Sequence, residues 1–295
     1  DELKRQENSI ADEVDVRVVS ANQVIAMDEG PRAVRRKPNA SVKVAAEVVA
    51  SGDAAAFFSA GNTGATLVAA HSVFGMMSGV ERPALATTIP TRHRDAVLLD
   101  VGATIDCRPR HLLQFAAMGT VYAKKVLGIE NPRVGLLSIG EEAIKGNDLT
   151  RDAYQLLSES RTQFIGNLEA RDLYGGDADV IVCDGFTGNV ALKVSEGLVE
   201  VVEDLLRDEL NRTFTTQLGY LLSRRSYRRF RRRVDYSEYG GAPLLGVTGL
   251  AVVGHGRSSI KAVRNALALT YRFVREGFVR SIDESMTALD TERSH

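Results

Sequence analysis

The sequence predicts an α/β protein in which a mainly parallel sheet is covered on both faces by helices. Three observations lead there. Short apolar runs alternate with stretches at helical spacing along most of the chain. A junction of strand, polar glycine turn and helix occurs at AAAFFSAGNTGATLVAA and again at IVCDGFTGNVALK. The 295 residues are 44% hydrophobic and 25% charged, enough to bury one large core or two moderate ones.

In chain order, DELKRQENSIADEV lacks apolar periodicity and leads into VDVRVVSA, whose alternation predicts a strand. IAMDEGPRAVRRKPNASV reads as a loop carrying Arg32, Arg35, Arg36 and Lys37. SVKVAAEVVASG is helical and stops at Gly52, and a strand, the GNTG turn and a helix follow. His71 and the Met76–Met77 pair on that helix and beyond it read as packing residues. AVLLD is a buried strand, DVGATIDCRP the turn beyond it, and His111–Leu127 an amphipathic helix with Pro109 ahead of its body. VGLLSIG is a further strand, joined through a polar connection to the helix around DLTRDAYQLLSES. RTQFIGNLEARDLYGGDADVIVCDGF supplies a short strand, a GN turn and another strand. A helix beginning near Asn189 runs to Leu210. After the arginine-rich stretch come a flexible Gly240–Gly241 approach, the strand LAVVG, the helix SSIKAVRNALALTYRFV and a terminal helix after Gly277.

Several function classes are disfavoured at this level. Cys107 and Cys183 make neither a disulfide framework nor a metal cluster, and no C-x-x-C or H-E-x-x-H occurs, so no metal or other cofactor is expected. No apolar segment reaches membrane-spanning length. The formal net charge is -1, which argues against a nucleic-acid surface. Basic charge is concentrated at Arg224, Arg225, Arg228, Arg229, Arg231, Arg232 and Arg233, next to Leu218, Leu221 and Leu222. Such a stretch either projects a basic, apolar-tipped hairpin toward anionic lipid or forms a packing or dimer surface with a solvated arginine face.

The polar turns carry the chemistry. Asp184, Gly185, Thr187, Gly188 and Asn189 lie between a strand and a helix, where α/β folds hold ligands and where unpaired amides favour anions. The simpler reading is that Asp184 or Asn189 caps the helix. Asn62, Thr63 and Gly64 repeat the arrangement, so the two turns are expected to line one crevice. Lys145 is a candidate anion ligand by its mobile ammonium, with Asn147 as a hydrogen-bonding amide beside it, although an ordinary surface loop reads the same way. Asp100 and Asp106 flank one turn as an acid/base pair or as structural carboxylates. At HGRSS, capping of the last long helix by Ser258 or Ser259 and chemistry are both open, the latter with His255 donating a proton or hydrogen bond and Ser258 binding substrate.

SAGNTGA, RPALATTIPT, LLDVGAT, HLLQFAAMG, NPRVGLLSIGEE, KGNDLT, FIGNLEARD, VIVCDGFTGNVALK, DYSEYGGAPLLG and HGRSSIKAVRNA follow one another in order. Together they resemble the bacterial PlsX family, the acyl-acyl-carrier-protein:phosphate acyltransferases, from roughly Val14 to Gly277. The resemblance implies a single, dimeric three-layer α/β/α domain over 1–295, similar to the isopropylmalate-dehydrogenase-like architecture. It implies transfer of a long acyl group from acyl carrier protein to inorganic phosphate for phospholipid synthesis, with a glycerol-3-phosphate acyltransferase downstream. It further implies a cytoplasmic enzyme at the inner face of the plasma membrane, held through 218–234 by residues such as Leu221, Leu222, Arg224, Arg225, Arg228 and Arg229.

The resemblance departs at two places. The family's first strand and DAMGGD-type loop are not seen before Asp1, so the domain is expected to be N-terminally incomplete, and RHRD stands at Arg92–Asp95 in place of a glycine turn. On this reading phosphate attacks the thioester directly. Lys145 and the turns Asn62–Gly64 and Gly185–Asn189 hold it, Asn147, Thr187, Asn189 and His255 donate hydrogen bonds, and Asp184 orients a donor. A small-acyl coenzyme A phosphotransacylase shares this chemistry, a catalytically silent scaffold for membrane and carrier protein shares the surfaces, and a nicotinamide dehydrogenase lacks its G-x-G-x-x-G.

Overall fold

The computed structural model describes residues 16–234, 240–254, 256 and 258–291. Its elements, in order, are α1 (Ala33–Arg36), α2 (Ser41–Ala50), β1 (Phe57–Ser59), α3 (Thr63–Phe74), β2 (Ala84–Ile89), β3 (Ala96–Leu99) and α4 (Pro109–Leu127). There follow β4 (Arg133–Leu137), α5 (Asp148–Ser158), β5 (Gln163–Leu168), a 3₁₀ turn at Ala170–Tyr174, β6 (Val180–Val182), α6 (Gly185–Asn211) and α7 (Phe214–Val234). The chain ends in β7 (Ala242–Leu245), β8 (Ala251–Val253), α8 (Ile260–Arg275) and α9 (Phe278–Thr291).

Eight strands form one sheet in the order β1-β8-β7-β2-β3-β6-β4-β5. The pairs β1·β8, β3·β6, β4·β6 and β4·β5 are parallel. β2 runs antiparallel to both its neighbours, and β7 antiparallel to β8. The β1/β8 pair therefore points opposite to β3, β6, β4 and β5. Sequence patterning predicts parallel strands but carries no signal for this reversal, because buried strands of either direction read as the same short apolar runs.

The core on one face is built around α4. Leu112, Phe115, Met118 and Tyr122 are fully buried, and Tyr122 meets Phe273 and Phe278 edge-on at 5.5 and 5.7 Å. Gly119 lets the helix approach closely, since a Cβ there would lie 2.5 Å from Val180 Cγ1. The opposite face buries Leu85, Ile89, Leu98, Val101, Ile181 and Val253, with Leu192 of α6 packed against them. Helices on both faces make three layers.

Four expectations are corrected. Residues 16–20 of VDVRVVSA form no strand. Val18 and Val19 are exposed and have no partner strand among the described residues, so alternation alone does not make a ladder. Gly166 and Asn167 are not a turn but lie inside β5, where Gly166 takes φ 103° beside a register shift against β4. α6 begins at Gly185 rather than near Asn189 because Asp184 caps it. The segment 218–234 is one arm of a hairpin, not a hairpin by itself. It is a continuous stretch of α7 that folds back along α6, with the reversal at 212–213.

Candidate functional site

A largely apolar cavity of about 770 Å³ lies across the face of β2. Its floor is Leu85, Thr87 and Ile89, which alternate strand geometry turns to one side, flanked by Val101 and Val253. Its roof is the base of the α6–α7 hairpin, through Leu192, Leu198, Val199, Phe230 and Val234. Thr63 and Gly254 stand at one end, Gly102 and Asn189 at the other. Arg233 of α7 holds the roof down by donating to the carbonyls of Thr91 and Arg92 at 2.9 and 2.8 Å. Arg231 pairs with Glu203 at 3.2 Å and ties the two arms together.

The turns after β1 and after β6 contribute to opposite ends of this one cavity. Ser59 is level with Val253, near the Ile89 end of β2, whereas β6 ends level with Leu99, near its Ala84 end. The expectation of a shared crevice thus holds only in that Thr63 and Asn189 line the same space from its two ends.

At the first end, α3 and α8 both follow adjacent parallel strands, so two helix N-termini lie on the same edge of the sheet. Asn62 caps α3, its Oδ1 accepting from the Ala65 amide at 3.0 Å. Its Nδ2 donates to the Ala26 and Glu29 carbonyls at 3.0 and 2.8 Å, so this side chain is committed to structure. The Thr63 and Gly64 amides open the helix and have no acceptor within it. Ser258 is half-buried, with Oγ 3.5 Å from where a Cβ on Gly254 would stand, and Ser259 caps α8 by accepting from the Ala262 amide. His255 lies outside the described residues.

At the second end the turn is closed on itself. Asp184 accepts from the Phe186 and Thr187 amides at 3.0 and 2.9 Å and from the Thr187 hydroxyl at 2.7 Å. The Gly185 and Gly188 amides donate to the Thr104 and Asp184 carbonyls. The amides of Gly185–Gly188 are therefore spent inside the protein, and the two glycines are packing positions. A Cβ at Gly185 would meet Thr104 O at 2.7 Å, and one at Gly188 would meet Asp100 O at 1.9 Å. Asn189 reaches the cavity while its Nδ2 donates to Val101 O at 3.1 Å.

The structure does not bring every predicted residue here. Lys145 and Asn147 stand on the loop after β4, on the same sheet edge as Asp184 but not among the cavity walls. Asn147 caps α5, accepting from the Thr150 amide at 2.9 Å, and Lys145 is exposed. Asp100 is fully buried and accepts from four amides, those of Leu85, Gly102, Ala103 and Thr104, so it organises a loop and is not available as a base. Leu221, Leu222, Arg224, Arg225, Arg228 and Arg229 are exposed along α7. Patterning missed Thr91, Arg92, Tyr174, Leu192 and Arg233 as cavity residues. Only the motif RPALATTIPT and the alternation Leu85, Thr87, Ile89 hinted at a lining strand.

No group of His, Cys, Asp or Glu among the described residues is placed to hold a metal ion. Neither cysteine is a nucleophile. Burial pushes the Cys107 thiol up to about 12, with Asp100 adding in the same direction, and burial raises Cys183 as well. We predict that iodoacetamide at neutral pH leaves both thiols of the folded protein unlabelled over a time that fully labels the denatured chain. Rapid native labelling of Cys107 would contradict this.

The sequence model of a family described as "Fatty acid synthesis protein" matches residues 2–281. A phosphate acyltransferase of Heliobacterium modesticaldum is 51% identical over 268 residues, 90% of this chain and 80% of its own. Phosphate acyltransferases of Acidobacterium capsulatum and Geobacter sulfurreducens are 49% and 46% identical over 274 residues, 92% of this chain and 81% and 79% of theirs. Among solved structures, the fold is similar to EutD phosphotransacetylase from Staphylococcus aureus, with TM-score 0.54 and 14% identity over 95% of this chain and 84% of that one. A branched-chain phosphotransacylase from Enterococcus faecalis V583 gives 0.53 and 17% over 80% and 79%. These likenesses support the three-layer fold. At these identities and lengths, the chain belongs to the fatty acid synthesis protein family, the PlsX-type phosphate acyltransferases.

Proposed function

We propose that this acyltransferase moves a long-chain acyl group from acyl carrier protein to inorganic phosphate, with the chain lying in the cavity on β2. The observation that carries the reading is the cavity itself, an apolar trough whose Thr63–Gly254 end has the first residue of α3 on its wall. An acyl chain suits the trough, and a dianion suits that end. A phosphate oxygen attacks the thioester carbonyl there. The C–O bond forms, the C–S bond breaks through a tetrahedral oxyanion, and the carrier sulfur leaves to take up a proton. The Thr63 and Gly64 amides and the Thr63 hydroxyl supply hydrogen bonds, with Ser258 a further donor from the neighbouring junction. Phosphate is its own nucleophile, so the reaction needs positioning rather than a covalent enzyme intermediate.

The deciding assay is formation of acyl phosphate from purified long-chain acyl carrier protein and phosphate, and absence of product sinks the reading. Two variants test where phosphate binds, and a third tests the roof. Thr63→Ala is expected to raise the phosphate KM roughly tenfold. Lys145→Ala, off the cavity walls, is expected to leave it unchanged, and the reverse result would move phosphate to the Asn189 end. Arg233→Ala is expected to raise the KM for acyl thioester about tenfold by releasing the roof.

The α6–α7 hairpin suits an anionic membrane surface. Phe214, Leu218, Leu221 and Leu222 recur at helical spacing near the reversal, and Arg225, Arg228, Arg229 and Arg232 continue the same face toward the body. No described helix is long and apolar enough to cross a bilayer. The exposed stripe Val194, Leu198, Val201 and Leu205 of α6 suits a second copy in a homodimer. The product then passes to a glycerol-3-phosphate acyltransferase at the inner face of the plasma membrane.

A further inference from the structure

We infer that Leu192 sets the longest acyl chain the enzyme accepts, by closing the cavity at the end away from phosphate. The inference rests on the acyl-cavity reading above and adds a specificity residue to it. Leu192 stands one helical turn beyond Asn189, so both face the same end of the trough. It packs on the cluster holding Leu85 and Val101, whose side chains are buried and form the floor there. Behind it the wall is rigid. The Asn189 amide ties α6 to the Val101 carbonyl at 3.1 Å, and Gly102, at φ 134°, has only 3.1 Å from a would-be Cβ to Asn189 Nδ2.

The opposite end offers no such stop. Leu198 lines the roof six residues farther along α6 and is 62% exposed, so it packs against no wall that would stop a chain. From Ile89 to Leu85 the floor runs four residues, roughly 13 Å at the rise of a strand, and Thr63 and Gly254 at one end and Gly102 and Asn189 at the other lengthen the trough beyond it. A chain entering by its carbonyl at Thr63 therefore brings its methyl end against Leu192, where every added methylene must displace a packed side chain. A methylene that loses its burial costs about fourfold in affinity.

The test uses the full chain with a saturated chain-length series of acyl carrier protein thioesters in one competition, the acyl phosphates being resolved by mass. Leu192→Ala is expected to shift the profile toward longer chains by about two methylenes, raising the long-to-short product ratio roughly tenfold. Leu192→Phe is expected to shift it toward shorter chains by a similar factor. Val202→Ala, on α6 but off the cavity walls, is expected to keep the wild-type profile. If both Leu192 variants melt like wild type and keep its profile, Leu192 is not the stop. If Val202→Ala shifts it as far, the change reports loosening of the helix and Leu192 is not the stop. Failure of the wild type to make acyl phosphate at all would instead remove the underlying reading, and this inference with it.

Discussion

Gly188→Ala is expected to destabilise the protein by more than about 3 kcal/mol, or to prevent folding altogether. A Cβ at this position would sit 1.9 Å from the Asp100 carbonyl oxygen and 2.8 Å from Cys183 Sγ, and the first of these is backbone that cannot rotate away. Here α6 touches the end of β3 directly. Gly197 supplies the control on the same helix, because nothing lies within 4 Å of a Cβ there. Gly197→Ala is expected to gain up to about 1 kcal/mol from helix propensity alone. Chemical denaturation of the pair measures both. Equal and small effects would show that the helix does not pack on β3 as described.

Asp100→Ala is expected to cost about 3 kcal/mol or more by leaving buried amides without an acceptor. Asp100→Asn should cost less. An amide oxygen can still serve the Leu85, Gly102 and Ala103 N–H groups gathered at Oδ1, but its NH₂ would then face the Thr104 amide, 2.6 Å from Oδ2. The pH dependence has an unusual sign for a carboxylate. Burial, the largest influence, pushes Asp100 from 3.8 up to about 6, against the downward pull of its amide donors. Since the folded value lies above the unfolded one, the proton is held more tightly in the native state. The linked stabilisation is fully present below about pH 4 and is lost as pH rises to about 6. Denaturation midpoints across that window should show this slope in the wild type and lose it in Asp100→Ala. A midpoint that rises through the window in the wild type and stays flat in the variant would reverse the assignment.

Much of this was legible in the sequence because it depends on local pattern. FFSAGNTGATLVAA and IVCDGFTGNVALK each resolve into a strand, a capped turn and a helix, with Asn62 and Asp184 in the capping positions. AVLLD is a wholly buried strand. What patterning could not supply was the direction of β2, β7 and β8, which is settled by long-range pairing. The roles of Gly185 and Gly188 were hidden for the same reason. A glycine that admits an anion and a glycine that admits a neighbouring backbone look alike until the neighbour is in place. Leu192 and Arg233 fall inside helical stretches whose outward spacing suggests surface, and only the hairpin's return over β2 turns them toward the cavity.

The reversal within the sheet separates the demands that two unlike halves of a substrate place on one protein. Had all strands run in the same direction, the glycine turns after β1 and β6 would share a single rim, and a greasy tail would have to leave past the charged loops that handle its head. With β1 and β8 inverted, the function proposed above has the head group met at one rim and the tail laid across β2 toward the other. On that proposal, changes that adapt the enzyme to a different fatty acid composition accumulate around Leu192 without disturbing the residues assigned to phosphate.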